Sequence, residues 1–158
     1  MKLLLPVDGS EVSLKAVRVA VQLLQMGLVA DLVLANVQEA ANLYEMMTAP
    51  DPIVLERVSQ AAGTDILAPA KALLTAANIP FEAEVASGDP AHAIIDIGER
   101  YGCGMIIMGA RGASALRSAL LGSVSNEVLH AAQVPVMIVK ADEEKDDDAP
   151  GDDDVGVP

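Results

Sequence analysis

The sequence predicts an α/β fold: a three-layer sandwich around a five-stranded parallel sheet in strand order 3-2-1-4-5. Three observations predict it. Short apolar runs alternate with longer amphipathic segments across residues 2–140, and strands alternating with helices form a parallel sheet covered on both faces. Hydrophobic residues make up 52% of the chain and aromatic residues 2%, so the core is built from Val, Leu, Ile, Ala and Met, which suits buried parallel strands. The run "PFEAEVAS" (80–87) alternates Phe81, Ala83 and Val85 with Glu82 and Glu84, which marks the third strand as half exposed and puts it at an edge.

Each element is justified in turn. "KLLLPV" (2–7) is strand one. "SEVSLKAVRVAVQLLQMG" (10–27) is a helix, with Leu14, Val17, Val21 and Leu24 on its apolar stripe, Lys15, Arg18, Gln22 and Gln25 on its polar one, and Gly27 as its stop. "ADLVLANV" (30–37) is strand two. Residues 38–50 read as a variable loop with a short helical turn, in which Met46 and Met47 are filler. Residues 53–77 are helical but interrupted by Gly63 and Pro69, which predicts a kink or two pieces. Strand three is followed by "DPAHAIIDIGERYG" (89–102), a helix with Asp89 as N-cap, Pro90 at its first position, and a buried stripe of Ala91, Ile94, Ile95 and Gly98. "GMIIMG" (104–109) is wholly apolar and therefore central. "SVSNEVLHAAQ" (123–133) is the last helix and "VPVMIVK" (134–140) the last strand.

Composition narrows the function classes. One domain is expected over residues 1–140. Residues 141–158 hold nine acids and one base with Pro and Gly, and read as a disordered acidic tail. The remaining 14 acids and nine bases give residues 1–140 a net charge of −5. Neither part offers the basic footprint that nucleic acid requires. The opening "MKLLLPVDGS" is broken by Pro6 and Asp8, too short for a signal-peptide core. No run approaches the roughly 18 apolar residues that span a bilayer. Cys103 is the single cysteine, so no internal disulfide forms. A cytoplasmic protein, not bound to membrane, is the expectation.

In a 3-2-1-4-5 sheet, strands one and four are neighbours, and ligands bind in the crevice beyond their carboxyl ends. Two segments meet there: "PVDGS" after strand one, and "GARGASALRSALLGS" (109–123) after strand four. Gly109 and Gly112 allow positive φ and a close ligand approach. Gly122-Ser123-Val124-Ser125 opens a helix whose first amides have no internal partners, which makes an anion site with serine hydroxyls added. Arg111 can bring a cation to phosphates. There is no GxxxxGK[ST] and no GxGxxG after strand one. With so few aromatic residues, an adenine would lie between aliphatic side chains such as Val7, Val37 and Met108. Asp8 either accepts hydrogen bonds from a ribose or base, or holds a metal through water, or caps the following helix with Ser10. His92, with Asp96 one turn on, reads as a surface pair; His130 lies on an exposed face. Nothing completes a Ser-His-Asp or Cys-His set, so binding with at most slow hydrolysis is the expectation.

The spacing Gly109-x2-Gly112-x9-Gly122-Ser123 resembles the nucleotide-binding signature of the universal stress protein family, in its ATP-binding branch. "LLLPVDGSEVSLKAV" resembles that family's opening strand and D-x-S turn, "ASGDPAHAIIDIG" its G-x-P-A helix start, and "GSVSNEVLHAAQVPVMIVK" its closing helix and strand. Residues 2–140 are covered. The resemblance implies a Rossmann-like fold of the adenine nucleotide alpha hydrolase type. It implies ATP or another adenine nucleotide with Mg²⁺ or Mn²⁺ on the phosphates. Pro6, Val7 and Asp8 would surround the base and ribose, Val37 and Met108 would flank the adenine, and Gly109, Gly112, Gly122, Ser123, Val124 and Ser125 the phosphates. Arg111 occupies a position without a fixed residue. Gly104 stands near where an acid commonly precedes strand four, Pro69 interrupts a usually smooth helix, and the acidic tail is outside the pattern. The family usually dimerises, and the apolar edge of "VPVMIVK" gives a separate reason to pair with a copy of itself. Three functions stay open: a non-enzymatic ATP-dependent stress regulator, a slow ATPase or phosphate-transferring enzyme using Arg111 and a metal, and an interaction protein that binds AMP or cyclic AMP or docks a basic partner through its tail.

Overall fold

The computed structural model describes residues 1–40, 43–48, 51–112 and 121–142. The strands are β1 (Lys2–Pro6), β2 (Asp31–Gln38), β3 (Phe81–Ser87), β4 (Met105–Gly109) and β5 (Val136–Val139), and the helices α1 (Glu11–Gln25), α2 (Leu43–Thr48), α3 (Pro52–Ala76), α4 (Pro90–Tyr101) and α5 (Ser123–Ala131). The strands form one sheet in the order β3-β2-β1-β4-β5, and every neighbouring pair is parallel. The predicted fold and strand order are therefore observed.

Strand alternation sorts the core into two layers. Leu3, Leu5, Leu32, Leu34 and Ile107 point to one face, where α1 supplies Leu14 and Val17 and α3 supplies Leu67, Ala70 and Leu74. Leu4, Val33, Ala35, Ile106 and Met108 point to the other, against Ala91, Ile94 and Ile97 of α4 and Val128 of α5. The division follows from handedness. Right-handed crossovers toward β3 place α1 and α3 on one face, and crossovers in the opposite direction toward β5 place α4 and α5 on the other. The reversal lies between β1 and β4, and it leaves a crevice there.

Two expectations are corrected. Residues 52–76 form one continuous helix, neither divided into two pieces at Gly63 nor ended by Pro69. Pro69 sits on the exposed side of α3, so the carbonyl that its ring leaves without a helical donor can face water, while buried Leu67, Ala70 and Leu74 anchor the helix on both sides of it. Gly63 is a packing residue: a Cβ there would run into Val85 Cγ1 of β3 and stand 2.9 Å from Asn36 Oδ1 of β2. On α4 the buried stripe is Ala91, Ile94, Ile97 and Gly98, with Ile95 half exposed. Ile97 is the residue that continues the i, i+3 spacing from Ile94.

β3 is an edge strand as predicted, and its α4-facing acids are paired. Lys2 Nζ lies 2.8 Å from Glu82 Oε1, and Arg100 Nη2 lies 2.6 Å from Glu84 Oε1. At the other edge, among the described residues, β5 pairs with β4 alone. Lys15 of α1 donates to the Lys140 carbonyl at 2.9 Å and reaches Asp142 Oδ1 at 2.5 Å. The rest of the acidic tail, from residue 143, lies outside the described residues, as do residues 113–120 of the glycine-spaced segment. Among the described residues, no helix is long and apolar enough to cross a membrane.

Candidate functional site

The turn after β1 is built by two short polar side chains. Gly9 takes φ +86°, a left-handed value that glycine adopts without strain. Asp8 Oδ1 then accepts from the Ser10 amide at 2.9 Å and from its hydroxyl at 2.5 Å. Ser10 Oγ in turn accepts from the Ser13 amide at 3.1 Å and caps α1. The capping alternative for Asp8 is thus realised through Ser10, and the same residue also lines the adjoining cavity.

That cavity measures about 670 Å³ and lies beyond the carboxyl ends of β1 and β4. All twelve sequence-predicted site residues line it. Pro6, Val7 and Asp8 come from the end of β1 and its turn, Val37 from β2, and Met108 and Gly109 from β4. Arg111, Gly112, Gly122, Ser123, Val124 and Ser125 come from the segment that leads into α5. One wall is apolar: Val7 and Met108 are 2% and 5% exposed, and Val37 is packed against the α4-side core.

The signature glycines act differently from the expectation. None of Gly109, Gly112 and Gly122 has positive φ; among the described residues the left-handed glycines are Gly9, Gly27, Gly88 and Gly102. They are small because other atoms are close. A Cβ on Gly109 would stand 2.5 Å from Val12 Cγ1 and 3.2 Å from the Ser13 amide nitrogen, where α1 packs across β4. On Gly112 it would stand 2.8 Å from Asp8 Oδ2, and on Gly122 3.3 Å from the Arg111 Cα. Gly122 also donates its amide to the Ala110 carbonyl at 2.7 Å, which ties the two ends of the segment together.

The start of α5 is open. Side chains cap α1, α3 and α4: Ser10, Asp51 and Asp89 accept from the Ser13, Ile53 and His92 amides. α5 has Gly122 at its N-cap and no side-chain cap. Its first amides face the cavity side of the helix with the positive end of the helix dipole. Ser123 is exposed there, whereas Ser125 is 3% exposed and its hydroxyl donates to the Ala110 carbonyl at 2.6 Å. Ser125 lines the cavity while its hydroxyl is engaged by the Ala110 carbonyl and braces the segment.

Further lining residues were not singled out from sequence, among them Asn36, Glu39, Pro90 and Ile94. Asn36 had a readable signal, being an amide inside an apolar strand. It is 3% exposed, donates to the Val7 carbonyl at 2.8 Å, and accepts from Gln38 Nε2 at 2.7 Å. It fixes the end of β1 at the height where the cavity begins. Pro90 and Ile94 read as helix start and core, and only the packing of α4 shows that they also form a wall. A second, polar cavity of about 400 Å³ adjoins the first and shares Asp8, Asn36, Val37 and Glu39 with it.

Groups outside the cavity are also placed. His92 Nδ1 lies 2.8 Å from Asp89 Oδ2, so the expected pairing with Asp96 is replaced; Asp96 accepts from Arg100 Nε at 2.8 Å. His130 is exposed, as expected. Cys103 is buried, and burial raises its thiol pKa, which holds it as an unreactive thiol.

Residues 1–140 match the model of the universal stress protein family. The chain belongs to that family. A curated relative, universal stress protein YxiE of Bacillus subtilis, is 32% identical over 146 residues, covering 88% of this chain and 98% of YxiE. Among solved structures, hypothetical protein MJ0577 superposes with a TM-score of 0.75 at 24% identity, covering 90% of this chain and 97% of that one. A universal stress protein in complex with cAMP gives 0.65 at 23% identity, with 88% and 96% covered. A universal stress family protein from Arabidopsis thaliana with AMP bound gives 0.63 at 18% identity, with 96% and 97% covered. At these identities the structures establish the shared fold.

Proposed function

We propose that this universal stress protein binds ATP in the cavity between the ends of β1 and β4, and acts as a nucleotide-dependent regulator of a stress response, without catalysing a reaction. One observation carries the reading: residues chosen from three separate sequence segments line one cavity, with an apolar wall on one side and an uncapped helix start on the other. An apolar wall suits a base, and free amides at a helix start suit phosphate oxygens. The volume of about 670 Å³ lies in the ordinary range for small-ligand sites. The glycines fit as well, because side chains at Gly112 and Gly122 would crowd Asp8 and Arg111. The cAMP and AMP complexes of two structural neighbours support an adenine nucleotide and make those two ligands the direct competitors of ATP. Mg²⁺ or Mn²⁺, when bound, would supply charge neutralisation at the phosphates.

A regulator is preferred to a hydrolase because no His, Lys or Cys lines the cavity among the described residues; of its two carboxylates, Asp8 already accepts two hydrogen bonds from Ser10 and Glu39 is exposed to solvent. The test is calorimetry of wild type with ATP, AMP and cAMP, together with the mass of any small molecule that co-purifies. Saturable ATP binding tighter than that of the other two is expected; no saturable binding by wild type overturns the reading. ATP consumed within hours in the presence of Mg²⁺ would favour the enzyme instead.

The dimer belongs to the same proposal. Among the described residues β5 has a partner strand on one side only, and Val136, Met137 and Ile138 are half exposed. Antiparallel pairing with a second copy would close that edge. Sedimentation at twice the 16.3 kDa chain mass is expected, and a monomer at micromolar concentration would remove this part.

A further inference from the structure

We propose that Asp89, His92 and Glu127 bind one divalent cation of the zinc class, which clasps α4 to α5 beside the nucleotide cavity. The site does not depend on the nucleotide reading, and none of the three residues lines the cavity.

The geometry begins with the first turn of α4. Asp89 is its N-cap and His92 lies three residues on, so the helix brings both side chains to one side. Asp89 Oδ2 accepts the His92 amide at 3.0 Å and stands 2.8 Å from His92 Nδ1. Two donors are thus positioned by a cap that the helix requires in any case. Glu127 comes from the facing helix. Its neighbour Val128 is fully buried in the core layer that holds Ala91 and Ile94, which fixes the rotation of α5. One ligand atom from each of the three residues then lies within 4.8 Å of the other two. Zinc sits about 2.0–2.2 Å from nitrogen and oxygen ligands, so small rotations of exposed side chains close the site.

Chemistry selects the metal class. Mg²⁺ and Ca²⁺ take oxygen ligands, whereas an imidazole favours the late first-row ions. Two carboxylates and a neutral imidazole match a dication in charge. Among the described residues, Asp89 is ion-paired only with His92, and Glu127 with nothing. Three protein ligands leave a position for water, as in open zinc sites. Pro90, which follows Asp89, and Val124, about one helical turn before Glu127, are cavity wall, so the ion would hold the two helices that carry that wall.

The experiment uses the full chain, stripped of metal and nucleotide, titrated with Zn²⁺ by calorimetry, and melted with and without Zn²⁺. His92→Gln and Glu127→Gln are compared with wild type; both positions are exposed, so folding is retained. One Zn²⁺ per chain is expected, with affinity at least tenfold weaker in each variant and a zinc-dependent rise in melting temperature in wild type alone. Wild type without a saturable site overturns the proposal. So does Zn²⁺ binding unchanged in both variants, which would assign the metal to the acidic residues beyond position 141.

Discussion

α4 and α5 lie side by side on the same face of the sheet, and both begin at its carboxyl edge, yet they begin in opposite ways. α4 opens with Asp89 and Pro90: a carboxylate satisfies an amide, and a residue without an N–H occupies the first position. α5 opens with Gly122 and no capping side chain, and its hydroxyl at Ser125 is turned inward to Ala110. One helix start is chemically complete, and the other leaves donors toward a cavity. The difference teaches where this fold keeps helix donors available: at α5, beside the cavity, and not at α4.

The strongest way to break the comparison is Gly122→Val. A Cβ at Gly122 already approaches the Arg111 Cα to 3.3 Å, and two further methyl groups would displace the segment or fill the phosphate end. ATP affinity is expected to fall at least 100-fold, about 2.7 kcal/mol, with the melting temperature lowered by only a few degrees. Calorimetry and a thermal melt of the same preparation check both. Retained affinity would mean that the open start of α5 is not where the phosphates sit.

Ser123→Asp sharpens the comparison by making α5 resemble α4. An exposed carboxylate in the first turn stabilises a helix by roughly 0.3–1 kcal/mol at low salt, but it repels phosphate. Stability should hold or rise while ATP affinity falls about tenfold, and added salt should weaken both effects. A variant in which both quantities fall together would speak for plain disruption.

Much of this was readable from residue types. The five strands and their order follow from apolar runs and the half-polar pattern of β3, because a sheet buried on both faces leaves few other choices. The cavity lining was readable in the segments where the chain leaves β1 and β4. What was not readable depends on neighbours distant in sequence. Gly109 looks like a flexible loop residue until α1 is packed on it, and Gly63 looks like a helix breaker until Val85 and Asn36 approach. Pro69 is tolerated because that side of α3 is exposed. Ile97 and Ile95 exchange roles because both are apolar, and only the sheet decides which is covered. His92 meets Asp89, which caps its own amide, while Asp96 pairs with Arg100.

The smallest expected effect tests the complete half of the comparison. Asp89→Ala removes the acceptor of the His92 amide, 3.0 Å away, and costs about 1 kcal/mol by the usual worth of a cap. For a domain of this size that is a fall of about 3–5 °C in melting temperature. Pro90 remains to start the helix with its fixed φ, and Ile94 and Ile97 remain to hold it on the sheet, so α4 should not melt. ATP affinity should stay within about threefold, because no atom of Asp89 lines the cavity. Asp89→Asn, which keeps the capping oxygen, should restore most of the lost stability. Both measurements belong in chelator, since the same carboxylate is one of the three proposed zinc ligands. If Asp89→Ala lowered ATP affinity more than Ser123→Asp does, the two helix starts would be acting as one site, and the division between a closed start and an open one would have to be given up.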